Sequence, residues 1–209
     1  MSDSIVVARP DRADQLVLLF HGVGAMAAGL APIGEAIAGE FSNAFVVSVA
    51  SPFPSDLGQG RQWFSVRGIT EENRVQRIAE VMPLFLKTVS GWQSEAAIGI
   101  AGTTLLGFSQ GAIMALESTQ QAVPVSAHVV AIAGRFASGP RVAPQSSRLH
   151  LLHGEADSVM PIALSIQAVE TLRALGGRAT LDRFPGLGHS IDARVVKRVI
   201  ERIIERVGT

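Results

Sequence analysis

Short apolar segments that alternate with helical patterns are the feature that most restricts the fold of this 209-residue chain. Six segments rich in leucine or β-branched residues predict strands, at residues 16–20, 44–49, 103–106, 127–132, 149–152 and 179–184. Most are apolar at consecutive positions, which is typical of strands covered on both faces in a parallel sheet. The sequence therefore predicts an α/β fold, a three-layer α/β/α sandwich with a mostly parallel sheet.

Helical patterns fill most of the intervals between these strands. The clearest covers residues 71–89, where apolar side chains recur three and four positions apart. We expect Thr70 to cap this helix and Pro83 to kink or interrupt it. The longest irregular stretch is residues 50–68, and loops of that length are often functional. Further helices are expected at residues 110–119, 161–175 and 193–207.

Composition and charge restrict the possible functions and partners. A length of 209 residues falls within the range of a single domain, and 47% apolar residues is enough to bury one core, so the whole chain, residues 1–209, is expected to form one domain. Lys and Arg total 18, as do Asp and Glu, with no block of like charge, so nucleic acid is not an expected partner. The chain has no cysteine, which excludes disulfides and fits a reducing compartment. Neither a signal peptide nor a membrane span is predicted, so we expect a soluble, cytoplasmic protein.

The segment at residues 107–111 reads Gly-Phe-Ser-Gln-Gly and matches the G-x-S-x-G pattern. In this pattern the glycines leave room for a sharp turn that exposes the serine hydroxyl. A predicted strand lies directly before the motif and a predicted helix directly after it, which is the context that such a turn requires. The pattern therefore predicts Ser109 as a nucleophile, with a glycine-flanked loop serine as the alternative.

A serine nucleophile requires a base that accepts its proton, and His189 fits this role best. It lies in a Gly-Leu-Gly-His loop after the last predicted strand. This position agrees with the chain order serine, acid, histidine that accompanies the G-x-S-x-G turn in α/β folds. The other histidines fit less well. His128 and His150 lie in or beside predicted strands, His153 flanks the acid loop, and His21 belongs to a separate glycine-rich loop.

Asp157 is the predicted acid that orients the base. It follows the strand at residues 149–152 and therefore projects from the carboxyl end of a strand, where open α/β sheets hold their sites. Glu155 is a weaker rival in the same loop. Asp182 lies inside a predicted strand, and Asp192 lies near a helix start, where capping accounts for it.

Two backbone N–H groups are expected to stabilise the oxyanion of an acyl-transfer reaction. The first is the amide of Gln110, directly after the nucleophile. The second is the amide of Val23, in the Phe-His-Gly-Val-Gly loop at residues 20–24 that follows the first predicted strand. A glycine-rich loop can also hold phosphate, but the chain has no G-x-G-x-x-G pattern and no Walker lysine.

Together these segments resemble the small bacterial carboxylesterases related to acyl-protein thioesterases and lysophospholipases, in the α/β-hydrolase superfamily. The resemblance covers nearly the whole chain and includes residues 20–24, 60–64, 107–111, 153–157 and 188–189. It implies that Trp63 and Phe64 lie on the substrate side, although ordinary packing aromatics are an equal alternative. One departure is Ala25, where relatives often carry an acidic residue.

The resemblance implies a serine carboxylesterase that acts on a small-molecule acyl ester or thioester, with short acyl groups expected. It further implies no metal or organic cofactor, little or no lid, no stable membrane insertion and frequent homodimers. Two alternatives remain open. An acyltransferase would use the same three side chains, and a ligand-binding protein would keep the scaffold without catalysis, because fold does not fix function.

Overall fold

The computed structural model describes residues 3–207, with side chains through residue 205. Its strands are β1 (Ile5–Ala8), β2 (Gln15–Phe20), β3 (Ala44–Val49), β4 (Phe53–Pro54), β5 (Arg61–Gln62), β6 (Thr103–Phe108), β7 (His128–Ile132), β8 (Arg148–Gly154) and β9 (Arg178–Phe184). Its α-helices are α1 (Ala31–Glu40), α2 (Glu71–Ala96), α3 (Gln110–Ser118), α4 (Ala163–Ala174) and α5 (Ala193–Val207).

Seven of these strands form one sheet, in the order β1-β3-β2-β6-β7-β8-β9. Neighbouring strands run parallel, except that β1 runs antiparallel to β3 at one edge of the sheet. The carboxyl ends of the six parallel strands therefore share one edge, where open α/β sheets hold their binding sites. Strands β4 and β5 form a separate antiparallel pair.

Each face of the sheet carries its own hydrophobic core, because successive strand residues point to opposite faces. In β2, Leu16, Leu18 and Phe20 belong to the cluster that contains the buried side chains of α2, α3 and α4. Val17 and Leu19 belong to the second cluster, with the buried side chains of α1 and α5. The predicted three-layer α/β/α arrangement is thus confirmed.

Helix α2 begins where the sequence predicts and ends later. The Thr70 hydroxyl accepts the Asn73 backbone N–H, and the Asn73 side chain accepts the Thr70 N–H, which forms a capping box. The helix continues through Pro83 to Ala96, so the expectation that Pro83 interrupts it is wrong. Met82 and Phe85 beside the proline are buried in the core, and this packing outweighs the loss of one backbone hydrogen bond.

All six predicted strands are present, whereas α1, β1 and the β4–β5 pair were not predicted. Two glycines and a proline weaken the helical pattern of α1. A Cβ at Gly34 would lie 3.0 Å from the Val7 Cγ2 atom, so this glycine lets α1 pack closely on β1. The β4–β5 pair lies within the stretch at residues 50–68 that was expected to be irregular.

Candidate active site

The backbone turns sharply at Ser109, between β6 and α3, with φ of 53°. A Cβ on Gly107 would lie 2.4 Å from backbone atoms of Gly111 and Ala112, and a Cβ on Gly111 would lie 2.0 Å from the Phe20 carbonyl oxygen. Neither position has room for a side chain. The two motif glycines therefore permit a strained turn that presents the serine at the carboxyl edge of the sheet.

The structure brings the side chains of Ser109, His189 and Asp157 together, although three separate loops supply them. The His189 Nε2 atom lies 2.9 Å from the Ser109 Oγ atom, and its Nδ1 atom lies 2.7 Å from the Asp157 Oδ2 atom. Asp157 is fully buried at its side chain, while 17% of the His189 side chain is exposed. This is the arrangement by which a base can accept the hydroxyl proton while a carboxylate orients the base.

Both oxygens of Asp157 have fixed partners. Its Oδ1 atom accepts the backbone N–H groups of Val159 and Met160 at 2.9 and 2.8 Å, while Oδ2 faces His189. Burial acts to raise the pKa of Asp157, but the hydrogen bonds from Met160 and His189 outweigh burial and hold the pKa below its ordinary value. The carboxylate is therefore ionised at neutral pH.

The loop that follows β2 passes directly beside the nucleophile. A Cβ on Gly22 would lie 3.1 Å from the Ser109 Cβ atom, so the backbone approaches the serine closely. Val23 and Gln110 line the same pocket as Ser109. Gln110 is the first residue of α3, where a backbone N–H has no acceptor within the helix. Both predicted oxyanion donors thus lie beside the serine.

The β4–β5 pair anchors this loop from the other side. The Gly24 N–H donates to the Arg61 carbonyl at 3.0 Å, and the Arg61 N–H donates to the Ala25 carbonyl at 2.9 Å. A Cβ on Gly60 would lie 2.0 Å from the Gly24 carbonyl oxygen, so only glycine fits there. Ala25, the departure from the resemblance, therefore contributes its backbone to a short antiparallel bridge.

His21 fixes the orientation of the Gly22–Val23 peptide. The Ser51 N–H donates to the His21 Nε2 atom at 3.2 Å, which leaves the ring proton on Nδ1. Nδ1 then donates to the Gly22 carbonyl at 2.8 Å. Burial, as the largest influence, lowers the pKa of His21, so the ring is neutral. The Ala25 N–H also donates to this carbonyl, at 3.3 Å. Since a trans peptide points its C=O and N–H in opposite directions, these two bonds set where the Val23 N–H points.

The sequence profile of the family described as phospholipase/carboxylesterase matches residues 1–205. The chain belongs to this phospholipase/carboxylesterase family. The predicted resemblance is confirmed, and the protein is an α/β-hydrolase-fold enzyme of the hydrolase class. Its seven-stranded sheet agrees with this fold.

Individual relatives agree with the family assignment. Esterase YpfH of Escherichia coli strain K12 is 47% identical over 193 residues, covering 92% of this chain and 83% of that protein. The crystal structure of esterase PE8 superposes with a TM-score of 0.87 at 25% identity, covering 97% of this chain and 96% of that one. Acyl-protein thioesterase 2 of Zea mays shares the fold, with a TM-score of 0.77, 20% identity, and coverage of 98% and 99%.

In this phospholipase/carboxylesterase family member, the Gln110 side chain joins the nucleophile turn to the loop after β5. Its Oε1 atom accepts the Trp63 N–H at 2.7 Å, and its Nε2 atom donates to the Phe64 carbonyl at 2.8 Å. Trp63 is fully buried and packs edge-on against Phe20 and Phe85. Trp63, the first of the two predicted substrate-side aromatics, thus lies in the core and does not line the pocket that contains Ser109.

Phe64, the other predicted aromatic, lines a pocket of about 240 Å³ that contains Ser109. Apolar side chains make up most of its wall. The lining residues are Val23, Phe64, Val66, Ile69, Arg74, Ser109, Gln110, Ile113, Arg135, Val159, Met160, Pro161 and Leu164. The pocket therefore combines the serine, both predicted oxyanion donors and an apolar wall that can hold an acyl chain.

The rival acids of this hydrolase have structural partners. Asp192 accepts the backbone N–H groups of Arg194 and Val195 at the start of α5, as its predicted capping role requires. The other two form ion pairs: Asp182 with Arg198 and Arg202, and Glu155 with Arg183.

Residues missed by sequence reasoning also contribute to the site of this family member. Arg135 follows β7 at the carboxyl edge of the sheet. Its position shortly after a predicted parallel strand could have indicated it as a site residue. Arg74 lies in the first part of α2, and only tertiary packing brings it to the pocket. The side-chain roles of Gln110 and His21 likewise depend on contacts between distant segments.

Two further properties concern the described part of this hydrolase, residues 3–207. No helix there is both long and apolar enough to cross a bilayer. No group of three or more His, Cys, Asp or Glu residues in that range is arranged to hold a metal ion.

Proposed function

We propose that this enzyme hydrolyses carboxylic esters or thioesters through an acyl-enzyme on Ser109, with His189 as the base and Asp157 as the orienting acid. One observation carries the proposal: the continuous hydrogen-bond chain from Ser109 through His189 to Asp157, with links of 2.9 and 2.7 Å. The strained backbone at Ser109 supports it, because such strain persists where function requires it.

In the first half of the reaction, the Ser109 Oγ atom attacks the acyl carbonyl carbon while His189 Nε2 accepts the hydroxyl proton. The carbonyl oxygen becomes an oxyanion, which the backbone N–H groups of Val23 and Gln110 stabilise. As the tetrahedral intermediate collapses, the bond to the leaving group breaks, and His189 returns the proton to the departing oxygen or sulfur. Asp157 stabilises the imidazolium that forms in between.

In the second half, a water molecule replaces the leaving group. The water oxygen attacks the acyl carbon while His189 accepts a proton from the water. His189 then returns this proton to the Ser109 Oγ atom when the acyl–serine bond breaks. The products are a carboxylic acid and the free enzyme. The name of the Zea mays relative, an acyl-protein thioesterase, supports including thioesters among the substrates.

The volume of the pocket supports short acyl groups as the preferred substrates. At about 240 Å³ it lies below the range of roughly 300–1,000 Å³ that is usual for sites of drug-sized ligands. Its wall is mostly apolar, and Phe64 and Ile113 would contact the acyl chain. We therefore expect kcat/KM to fall as the acyl chain exceeds the length of this pocket.

The experiment that tests the proposal measures hydrolysis of p-nitrophenyl esters of increasing acyl length, with mass spectrometry after fluorophosphonate treatment. The wild type should turn over and carry one label, on Ser109, whereas Ser109→Ala should do neither. Asp157→Asn should lower kcat by about 10³- to 10⁴-fold. Ser90→Ala, on the exposed side of α2, is the matched control and should behave as the wild type.

Other outcomes would contradict the proposal. An absence of both turnover and label in the folded wild type would favour the ligand-binding alternative. Formation of a new ester from an added alcohol, at the expense of the free acid, would favour acyl transfer. Unchanged turnover in Asp157→Asn would remove Asp157 from the mechanism.

A further inference from the structure

The pocket that contains Ser109 carries positive charge within an otherwise neutral wall. Both charged side chains among its lining residues are arginines, Arg74 and Arg135. They are only 14% and 15% exposed. A guanidinium group enclosed beside an apolar chain interacts with an anion more strongly than one on an open surface. The position of this pair next to the nucleophile is not required by the hydrolysis of a neutral ester.

A single carboxylate pairs with both arginines. The Arg135 Nη1 and Nη2 atoms lie 3.1 and 2.9 Å from the two oxygens of Glu71, and Arg74 Nη1 lies 2.5 Å from one of them. Hydrogen bonds from Arg74 and then Arg135 lower the pKa of Glu71, so it is ionised. The cluster therefore has two positive charges and one negative charge. Glu71 is the exposed member, with 66% of its side chain accessible to solvent.

The segment that carries Arg135 is held in place by buried and partly buried hydrogen bonds. The Arg135 Nε atom donates to the Phe136 carbonyl at 3.0 Å. The buried carboxylate of Glu117, in α3, accepts the Ala137 N–H at 2.7 Å and the Arg141 side chain at 2.8 Å. Arg135 is thus positioned before any ligand arrives, and a positioned guanidinium loses little entropy when it binds a carboxylate.

We propose that Arg74 and Arg135 select ester substrates whose acyl group ends in a carboxylate, that is, monoesters of dicarboxylic acids. The proposal rests on the proposed function, because it assigns the acyl group to this pocket. The apolar wall holds the methylene chain, and the second, unbalanced positive charge attracts the terminal carboxylate. Arginine suits this task because its planar fork matches the two oxygens of a carboxylate.

The acyl side of the substrate fits this pocket better than the leaving group does. The leaving-group atom must lie at His189, which protonates it. Among the described residues, His189 does not line the pocket, whereas both predicted oxyanion donors, Val23 and Gln110, do. The substituent that extends from the carbonyl carbon into the pocket is therefore the acyl chain.

The test compares two p-nitrophenyl esters that differ only at the end of the acyl chain. One is the monoester of adipic acid, and the other carries an isopropyl group in place of the terminal carboxylate. Spontaneous hydrolysis of each ester is measured and subtracted. The readout is the ratio of the two kcat/KM values, because a general defect in folding would lower both together. We expect the wild type to prefer the adipate ester, and this preference to weaken as ionic strength rises.

Two variants should change the ratio in opposite directions. Arg135→Gln should lower the preference for the adipate ester by about tenfold, because a hydrogen-bonded charge pair is lost. Glu71→Gln should raise it, because the competing carboxylate is removed. Arg12→Gln removes a positive charge from an exposed position and is the matched control, which should leave the ratio unchanged.

The proposal is overturned if the wild type prefers the neutral ester, or if Arg135→Gln and Glu71→Gln shift the ratio in the same direction. A second pair of substrates, the butyryl esters of glycerol and of glycerol phosphate, places the anion on the leaving group instead. If Arg135→Gln changed the selectivity only for this second pair, and not for the adipate pair, the proposal would also be overturned. If the wild type still hydrolyses the neutral ester and Ser109→Ala does not, the proposed function stands and only the selectivity for a carboxylate fails.

Discussion

The side-chain oxygen of Gln110 accepts the backbone N–H of Trp63 at 2.7 Å, across 47 residues of sequence. The Gln110 amide nitrogen donates to the next carbonyl, that of Phe64, at 2.8 Å. The carboxamide thereby satisfies one donor and one acceptor of the main chain directly after β5. Because the Gln110 backbone N–H is a proposed oxyanion donor, this residue joins two tasks: it stabilises charge and fixes the pocket wall.

Replacement of Gln110 by alanine should therefore lower kcat/KM for a short neutral ester by about tenfold. The backbone donor at residue 110 would remain, but the buried Trp63 N–H would lose its acceptor, at a cost of about 1–3 kcal/mol. Steady-state kinetics and urea unfolding measure the two effects. Gln76→Ala, on the exposed side of α2, is the matched control and should change neither. Unaltered kinetics in Gln110→Ala would show that the pocket wall does not depend on this contact.

His21 is expected to act as a positioning residue for the Val23 N–H. In His21→Ala the Gly22 carbonyl loses its Nδ1 donor and keeps only the longer hydrogen bond from the Ala25 N–H, at 3.3 Å, so the peptide is held less firmly. We expect kcat to fall by about tenfold or more, less than the roughly 100-fold or greater loss that removal of an oxyanion donor causes. KM should change little, because the donor acts in the transition state. A rise in KM at constant kcat would contradict this role.

The fold was predictable because its main signals are local. Most of the central strands are apolar at consecutive positions, as β2 illustrates with the five buried apolar residues at 16–20. The nucleophile turn was predictable for the same reason, since strand, glycine-flanked serine and helix follow one another within a short segment. The positions of His189 and Asp157 followed from chain order on this fold. The hydrogen bonds of His189 with Asp157 and Ser109 could be seen only in the three-dimensional structure.

The missed features depend on contacts between distant segments. The role of His21 requires Ser51, 30 residues away, and the cluster at the pocket requires Glu71 and Arg135, which lie 64 residues apart. No sequence periodicity encodes such pairs. Helix α1 was missed for a different reason: Gly34 lowers the helical propensity of the segment and at the same time permits its close approach to β1.

Two glycine-to-alanine substitutions should have opposite effects on stability. In Gly111→Ala the new Cβ would lie 2.0 Å from the Phe20 carbonyl oxygen in the central strand β2, so we expect a loss of about 3 kcal/mol or more. In Gly39→Ala the new Cβ has no described atom within 4 Å, and alanine has a higher helix propensity than glycine within α1, so we expect a gain of about 0.5–1 kcal/mol. Urea unfolding measures both. Equal effects would show that the close approach at Gly111 does not limit the fold.

A buried histidine in the sheet makes acid stability testable. The His150 ring lies 4.8 Å from the His128 ring, centroid to centroid, and its Nδ1 atom is 2.7 Å from the Thr180 hydroxyl. Burial is the largest influence on His150 and lowers its pKa from 6.5 to about 4. The charged groups that also act on it are Arg202, Glu205, Asp182 and Arg148. The folded protein therefore holds this ring neutral at a pH where the unfolded chain binds a proton.

Because the pKa of His150 is lower in the folded state, the stability linked to it is fully present above pH 6.5 and is lost as the pH falls toward 4. The loss should approach about 3 kcal/mol. His150→Gln keeps a polar partner for Thr180 but does not titrate, so its free energy of unfolding should fall less over this range. Urea unfolding of both proteins at several pH values gives the difference between them. A difference that does not change with pH would mean that His150 is not a source of acid sensitivity.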